Sequence, residues 1–387
     1  MTVKFGWKAG SEQYPPQQLL EYAVAAEEAG FESIDVSDHF HPWSEQGQAC
    51  FVWTWLGAAA VRTQKIMLGT GVTCPILRYH PAIIAQAAAT LAAFAPGRSF
   101  LGLGNWGSPQ RVFSYRTVAK LPNSSGAAAR SGSIDSRTME RRSSFIQWNL
   151  LQDTQSEALY ASGDFPTDRY LSVVAKSARF AGQYGDGLIT VGGESSETYN
   201  EILKNFAAGA TEVGKGPDQM PRMIEIAVDF NDNEQQAIEA RKTYWAGTFV
   251  PALFTERIYT PTLSQQNGNA VGADTIRETV CISNDPEAHI KIARRYIDLG
   301  FDHLIFHSAA PISARFLKPT DAMCSLGCGE HKGLRSRCAK ISVTREMPAV
   351  ENYPGSGIRL RLAPDRLDAT YGNCQRPQCE RCKEAKP

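Results

Sequence analysis

The chain has 387 residues, of which 43% are hydrophobic and 21% are charged, and its 40 basic and 40 acidic residues leave no formal net charge. This composition is typical of a soluble globular protein, and it provides no general attraction for nucleic acid or anionic lipid. The N-terminus lacks the basic and apolar regions of a signal peptide, and no apolar run approaches the roughly 20 residues that cross a bilayer. We therefore expect a cytoplasmic protein with no membrane or nucleic-acid partner.

Short apolar strands alternate with helices in two parts of the chain. Apolar residues at helical spacing and glycine stops mark the helices, and short apolar runs mark the strands. The first part predicts strands at 3–7, 33–37, 66–73 and 99–103, with helices at 17–29, 51–63 and 81–94. The second part predicts strands at 170–174, 187–191, 223–229 and 303–307, with helices at 176–183, 196–212, 233–246 and 285–299.

Eight strands that alternate with helices indicate a parallel sheet, and over about 310 residues they favour a closed (β/α)8 TIM barrel. The alternative is an open sheet that binds a nicotinamide cofactor. Against it, the first strand-to-helix turn has no G-x-G-x-x-G motif, and Gly102-Leu103-Gly104 continues in the wrong way for one. We expect one barrel domain over residues 1–311.

Two stretches do not follow the alternation. Residues 105–165 are rich in serine and arginine, and the tail over 312–387 holds six of the nine cysteines. Cys379 and Cys382 form a C-x-x-C pair, a spacing that zinc sites use. We expect instead that this tail is out of frame or disordered, that the segment over 105–165 is disrupted, and that the protein has no metal site.

The strongest chemical signal follows the second predicted strand. Asp38, His39 and Trp43 lie there, and Glu12 follows the first strand. The carboxyl ends of barrel strands open onto one face, so these side chains should meet at one mouth. Histidine exchanges a proton near neutral pH when a partner fixes its tautomer. A single histidine at a strand end is more often structural, but this cluster favours a catalytic site.

Seven short motifs along the chain form a recognisable set. They are Glu12-Gln13, Ser37 to Trp43, Gly69 to Pro75, Arg78 to Ala82, Ala181 to Gly187, Tyr244 to Gly247 and Asp274 to Ile276. Together these motifs resemble the deazaflavin (coenzyme F420)-dependent dehydrogenases of the bacterial luciferase-like superfamily, particularly those that oxidise secondary alcohols or glucose 6-phosphate. The likeness extends over roughly 250 residues.

This resemblance implies a role for each matching residue. His39 would be the base that takes the hydroxyl proton as hydride passes to the deazaflavin, Trp43 would pack against the reacting centre, and Glu12 would orient polar groups beside it. The Gly71–Val72 peptide would be cis and would support the back of the cofactor ring. The residues implied to contact the cofactor are Asp38, Thr70, Gly71, Val72 and Val174.

The family's next motif is Gly-Thr-Gly-Glu-Ala-Leu-Asn-Glu, whose first glutamate is the implied acid that protonates the reduced cofactor. This chain reads Asn-Trp-Gly-Ser-Pro-Gln-Arg over 105–111. A shifted reading frame can turn those codons into Thr-Gly-Glu-Ala-Leu-Asn-Glu. We therefore expect a frame-shifted segment and weak or absent activity of the chain as written; the alternative is a genuine insertion and a genuine tail.

The substrate is expected to be a small or hydrophobic secondary alcohol, or the matching ketone. A phosphosugar site needs lysine or arginine to pair with the phosphate, and the corresponding positions hold Thr255, Thr279 and Gly192-Gly193-Glu194, although Arg257 and Arg277 are near. Glucose 6-phosphate is therefore the less favoured substrate. The alternatives are a monooxygenase that uses FMN and an inactive product of a frame-shifted gene. Family likeness also implies a homodimer.

Overall fold

The computed structural model describes residues 3–74, 78–104, 167–171, 175–250 and 260–309. All of these lie within the unit Met1–Thr344. The predictions for the segment 105–165 and the tail 312–387 fall outside the described residues, as does the cofactor role of Val174, and these stay predictions.

Eight parallel strands close a ring. From β1 to β7 each strand pairs with the next in the chain, and β9 lies between β7 and β1, so that every edge is paired. The short strand β8 pairs with the outer end of β7. The closed TIM barrel is confirmed. The strands are β1 (Lys4–Ala9), β2 (Ser33–Val36), β3 (Met67–Thr70), β4 (Ser99–Leu103), β5 (Thr167–Leu171), β6 (Gly187–Val191), β7 (Arg222–Phe230), β8 (Cys281–Ser283) and β9 (His303–His307).

Helices connect the strands, and most of them begin at signals that the sequence provides. Ser195, Asn233, Thr260 and Asp285 each accept a hydrogen bond from a backbone N–H in the first turn that follows. The described helices are α1 (Pro16–Glu28), α2 (Val52–Arg62), α3 (Pro81–Phe94), α4 (Ala175–Tyr184), α5 (Ser196–Glu212), α6 (Glu234–Tyr244), α7 (Pro261–Gly268), α8 (Ala273–Thr279) and α9 (Pro286–Asp298), with 3-10 turns at Pro217–Gln219 and Ala246–Phe249.

Glycine ends the first helix in the way the sequence predicts. Gly30 has a φ of 88°, which favours glycine because it has no Cβ. The chain then closes the helix end with a hydrogen bond of 3.0 Å from Phe31 N–H to Ala26 C=O. This stop turns the chain directly into β2, which carries the histidine loop at its carboxyl end.

Some predicted bounds are wrong. The strand expected at 170–174 lies at Thr167–Leu171, and the strand expected at 66–73 ends at Thr70. Helix α7, helix α8 and strand β8 have no counterpart in the prediction. Only Ser264 and Gly268 are buried in α7, so this short polar helix lacks the apolar stripe by which helices are predicted. Among the described helices, none is long and apolar enough to cross a membrane.

The barrel interior has an apolar part and a charged part. Phe100, Ile189, Met223, Ile305 and the Val72 side chain form one buried cluster. Beyond it, towards the carboxyl ends of the strands, lie charged side chains from β1, β2, β7 and β9. The charged part therefore forms the floor of the mouth that the strand ends surround.

Candidate active site

His39 and Glu12 form a buried pair at the barrel mouth. Nδ1 of His39 contacts Oε1 of Glu12 at ion-pair distance, and only 5% of His39 and 1% of Glu12 is exposed. Two further hydrogen bonds hold Glu12: the Ser11 hydroxyl donates to its Oε2 over 3.1 Å, and the Gln48 N–H donates to its carbonyl over 2.8 Å. Glu12 therefore fixes the orientation of the imidazole, as a catalytic base requires.

The carboxylate of this pair stays ionised despite its burial. Burial alone would raise the pKa of Glu12, but the charge and hydrogen bond of His39, together with the Lys8 ammonium, lower that pKa below its ordinary value. An ionised Glu12 favours the protonated imidazole that forms when His39 accepts a proton. The pair can therefore hold a proton in a site that is almost closed to water.

Trp43 packs against the same imidazole. Its ring meets His39 edge to face, with the centroids 5.0 Å apart and the planes at 81°, and 2% of it is exposed. The role that the sequence resemblance implied for Trp43, packing against the reacting centre, stays a prediction. The indole gives the base an apolar neighbour that limits the access of water.

Asp38 lies beside the histidine but has its own partners. Its carboxylate accepts hydrogen bonds from the Thr73 hydroxyl at 3.0 Å and the Tyr79 hydroxyl at 2.9 Å, and it pairs closely with Arg78. Burial raises the pKa of Asp38, and Arg78 opposes that shift. These contacts tie the loop after β2 to the loop after β3.

The end of β3 and the loop after it hold three further residues that are predicted to contact the cofactor, Thr70, Gly71 and Val72. The Gly71–Val72 peptide bond is cis, as predicted. A Cβ on Gly71 would lie 1.9 Å from Asp35 Oδ2, so glycine is needed there. The Val72 side chain points into the interior cluster, and the Thr70 hydroxyl donates to Gly102 C=O over 2.9 Å. Thr70 therefore holds β3 against β4 through its side chain.

An apolar cluster, called here the apolar wall, adjoins the histidine loop through Trp43. Trp43, Trp245 and Ala309 form one cluster, with Tyr244 and Val250 packed against it. Gln13 fixes this wall: its side-chain amide donates to Ala309 C=O over 2.7 Å and accepts from the Trp245 indole N–H over 2.9 Å. The wall joins Trp43, on the loop that carries the base, to residues that follow α6 and β9.

A buried ion pair supports this wall from behind. The Arg241 guanidinium donates to Asp229 over 2.7 Å and to His307 C=O over 2.6 Å. Asp229 in turn accepts from the Ser308 hydroxyl at 2.9 Å and from the Ala309 N–H at 2.8 Å. The backbone that follows β9 is thus fixed where it meets Gln13.

The structure brings Glu12, His39 and Trp43 together and places Asp38 next to them. Sequence reasoning missed the residues that support them, and the signal that was available is a charge within an apolar strand, as at Lys8. No group of three or more histidine, cysteine, aspartate or glutamate side chains within the described residues is placed to hold a metal ion. The supporting residues that were missed are Lys8, Asp35, Glu225, Asp229, Arg241 and His307.

Comparison with known proteins agrees with the barrel fold. The family model of the luciferase-like monooxygenases matches residues 2–118 and 171–303. An F420-dependent glucose-6-phosphate dehydrogenase of Beutenbergia cavernae is 33% identical over 332 residues, which cover 82% of this chain and 94% of the relative. The enzyme of the same name from Intrasporangium calvum is 32% identical and covers 81% of this chain and 96% of its own length.

A solved structure gives a second type of relative. An F420-dependent secondary alcohol dehydrogenase, in complex with an F420-acetone adduct, superimposes with a TM-score of 0.67 at 29% identity, covering 82% of this chain and 97% of the other. The matched family model spans well over half of the chain, and the relatives align along nearly their whole length. The chain therefore belongs to the luciferase-like monooxygenase family, in the branch that includes the F420-dependent dehydrogenases.

Proposed function

We propose that this protein transfers hydride between a small or hydrophobic secondary alcohol and coenzyme F420. The observation that carries the proposal is the buried His39–Glu12 pair packed against Trp43, at a barrel mouth with an apolar wall. The F420-dependent relatives support the cofactor, since they align over more than four fifths of this chain. A monooxygenase that uses FMN remains the less supported alternative.

The described residues fit such a cofactor on one particular point. At Gly71 a Cβ would lie 1.9 Å from Asp35 Oδ2, so this residue has no room for a side chain, and the proposed cofactor contact there is with the backbone. Coenzyme F420, when bound, supplies the ring carbon that accepts or returns the hydride. The proposed cofactor contacts are Asp38, Thr70, Gly71 and Val72, with Val174 outside the described residues.

His39 is proposed to move the proton that accompanies the hydride. Because Glu12 engages Nδ1, Nε2 is assigned to the alcohol hydroxyl and takes its proton during oxidation. The ionised Glu12 then stabilises the charged imidazole. Positioned acid–base groups of this kind contribute about 10²- to 10⁴-fold to a rate. In ketone reduction the same nitrogen returns the proton.

The apolar wall favours an alcohol over a phosphosugar. A phosphate dianion needs a cationic partner, and within the described part of the chain the cations nearest the mouth are already paired. Arg78 pairs with Asp38, Arg241 with Asp229, and Lys8 with Asp35 and Glu225. This supports the alcohol, although the relatives of highest identity are named for glucose 6-phosphate.

Titration of the purified full chain with F420 and separately with FMN, followed by fluorescence, tests the cofactor. Turnover of a panel of secondary alcohols and glucose 6-phosphate, followed by loss of the cofactor's visible absorbance, tests the substrate. We expect F420 binding, weak or absent turnover of the chain as written, and a preference for apolar alcohols wherever turnover is measurable. FMN binding alone would favour the monooxygenase alternative, a preference for glucose 6-phosphate would reject the alcohol, and F420 binding without turnover would favour the inactive product.

We also propose that the chain forms a homodimer through α2 and α3, which pack side by side. Val61, Ile83 and Phe94 on these helices are 60%, 52% and 55% exposed, which is unusual for three large apolar side chains on neighbouring helices. Sedimentation of an Ile83→Glu variant tests this: a dimer should become monomeric. The matched control is Val213→Glu, an exposed apolar residue after α5 that should leave the dimer intact.

A further inference from the structure

A buried lysine lies at the centre of the charged floor beneath the mouth. Lys8 Nζ lies 2.9 Å from Glu225 Oε2 and 3.4 Å from Asp35 Oδ2, and it donates to Gly71 C=O over 2.5 Å. Only 2% of Lys8 is exposed. One ammonium therefore joins two carboxylates and the backbone of the loop assigned to the cofactor.

The same group of charges extends beneath the apolar wall. Glu225 accepts a hydrogen bond of 2.8 Å from Nδ1 of His307. The His307 ring packs edge to face on Trp245, with the centroids 4.2 Å apart. Lys8 is thus connected to both sides of the mouth, to Gly71 on one side and to Trp245 on the other.

Lys8 also lies near Glu12 in the chain: it is the last residue but one of β1, and Glu12 lies in the buried turn that follows this strand. Burial alone would lower the pKa of Lys8, but Asp35 and Glu225 raise it well above its ordinary value, so the ammonium stays charged. This charge is one of the causes that lower the pKa of Glu12. The charged and titratable groups that face the lysine are Asp35 on β2, Glu225 on β7 and Glu12 after β1, with His307 on β9 behind Glu225.

We propose that Lys8 is a positioning residue of the active site, whose ammonium fixes the Gly71 carbonyl and supplies the positive charge that faces Glu12. Lys8 itself touches neither His39 nor the proposed alcohol. It acts through Glu12 on the base and through Gly71 on the cofactor side. The inference rests on the proposed function for its role in turnover, whereas its action on Glu12 is measurable without any cofactor.

The experiment removes the lysine together with one of its two carboxylate partners, while the other partner keeps a hydrogen bond. Lys8→Met alone would leave Asp35 and Glu225 buried without their cation, which is strongly destabilising. In the double variant Lys8→Met/Asp35→Asn, Glu225 keeps its bond to His307. The ionisation of Glu12 is followed in the cofactor-free full chain by carbon NMR of labelled glutamate carboxyls, with Glu12→Gln to assign the signal. We expect the Glu12 midpoint to rise by about one pH unit.

A second readout addresses the Gly71 carbonyl. The dissociation constant of F420, measured by fluorescence, should rise several-fold in the double variant because Gly71 C=O has lost its donor. The matched control is Arg222→Met/Asp302→Asn, which removes an ion pair of 2.8 Å at the opposite end of the barrel. This control should change neither the Glu12 midpoint nor the affinity for F420.

An unchanged Glu12 midpoint in a folded double variant would overturn the inference. If circular dichroism shows that variant to be unfolded, Lys8→Gln/Asp35→Asn takes its place, because glutamine keeps a donor for Gly71 C=O and a polar neighbour for Glu225 while removing the charge. That variant should raise the Glu12 midpoint and leave F420 affinity near the wild-type value. Failure of the wild-type protein to bind F420 would reject the proposed function, while the Glu12 titration would still decide whether Lys8 acts on the pair.

Discussion

The two sides of the barrel mouth differ in the side chains that they carry. The side formed by the loops after β1, β2 and β3 carries polar side chains that pair with one another: Glu12 pairs with His39, and Arg78 pairs with Asp38. The side formed after α6 and β9 presents Trp245 and Ala309 and keeps its charges behind them, in the pair of Asp229 and Arg241. The first side can move a proton, and the second can shape a substrate.

Removal of the proposed base, His39, tests the first side of the mouth and should have the largest effect. His39→Ala should lower kcat/KM for alcohol oxidation by about 10²- to 10⁴-fold, because no other group then takes the hydroxyl proton. Binding of F420, measured by fluorescence, should change little. The matched control is His80→Ala, an exposed histidine that caps α3 and should keep its activity. A variant that still turns over at the wild-type rate would remove His39 from the mechanism.

This first side was predictable from the sequence because its residues lie in short continuous motifs at strand ends. His39 and Trp43 fall within five residues of each other, and Glu12 follows the preceding strand. Short apolar runs between helices likewise predicted eight strands, and all eight are among the strands that the structure describes. Short polar elements such as α7 were missed because they have no apolar stripe from which a helix is predicted.

The second side was much less accessible to sequence reasoning. Arg241 and Asp229 lie 12 positions apart on different elements, and their shared contact with the backbone after β9 depends on closure of the ring. Lys8 and Glu225 are separated by more than 200 positions. A charge within a strand signals that a partner exists, but only the barrel register identifies that partner.

The support of the second side should matter mainly for stability. Arg241→Met leaves Asp229 buried without a cation, which should lower the free energy of unfolding by about 3–5 kcal/mol, measured by urea denaturation. The matched control is Arg277→Met, which breaks an ion pair whose partners Arg277 and Glu234 are 42% and 54% exposed. That change should cost at most about 1 kcal/mol. Equal losses would mean that the buried pair has no special role.

A change within the apolar wall should have a smaller effect than the loss of His39 or Arg241, and the effect should be on substrate binding. Trp245→Phe keeps an aromatic ring but removes the N–H that donates to Gln13, at a cost of about 1 kcal/mol, or about fivefold in KM for a bulky alcohol. Trp55→Phe removes a similar bond, to Pro16 C=O on the outside of the barrel, and is the matched control. If both variants raise KM equally, the wall does not contact the substrate.

Asp35 and Glu225, the two buried carboxyls of the charged floor, should contribute to stability with opposite dependences on pH. Burial raises the pKa of Asp35 to about 7, against the attraction of Lys8, whereas Lys8 and His307 overcome burial at Glu225 and lower its pKa. A carboxyl whose pKa is raised in the folded state, such as Asp35, takes up a proton on folding. Its contribution to stability is therefore full at acidic pH and is lost as pH rises from about 4 to 7. A carboxyl whose pKa is lowered in the folded state, such as Glu225, contributes stability above its ordinary pKa, and this contribution is lost in acid.

Asp35→Asn should therefore stabilise the protein at pH 8 relative to the wild type and change little near pH 4, whereas Glu225→Gln should destabilise it at pH 8 and progressively less in acid. Urea denaturation at a series of pH values measures both curves. The two side chains share one lysine, so any general weakening of the barrel would shift both curves in the same direction. Curves that diverge with pH would therefore reflect two different causes, burial at Asp35 and the pairing of Glu225 with Lys8 and His307. Lys8 lies nearer to Glu225, at 2.9 Å, than to Asp35, at 3.4 Å.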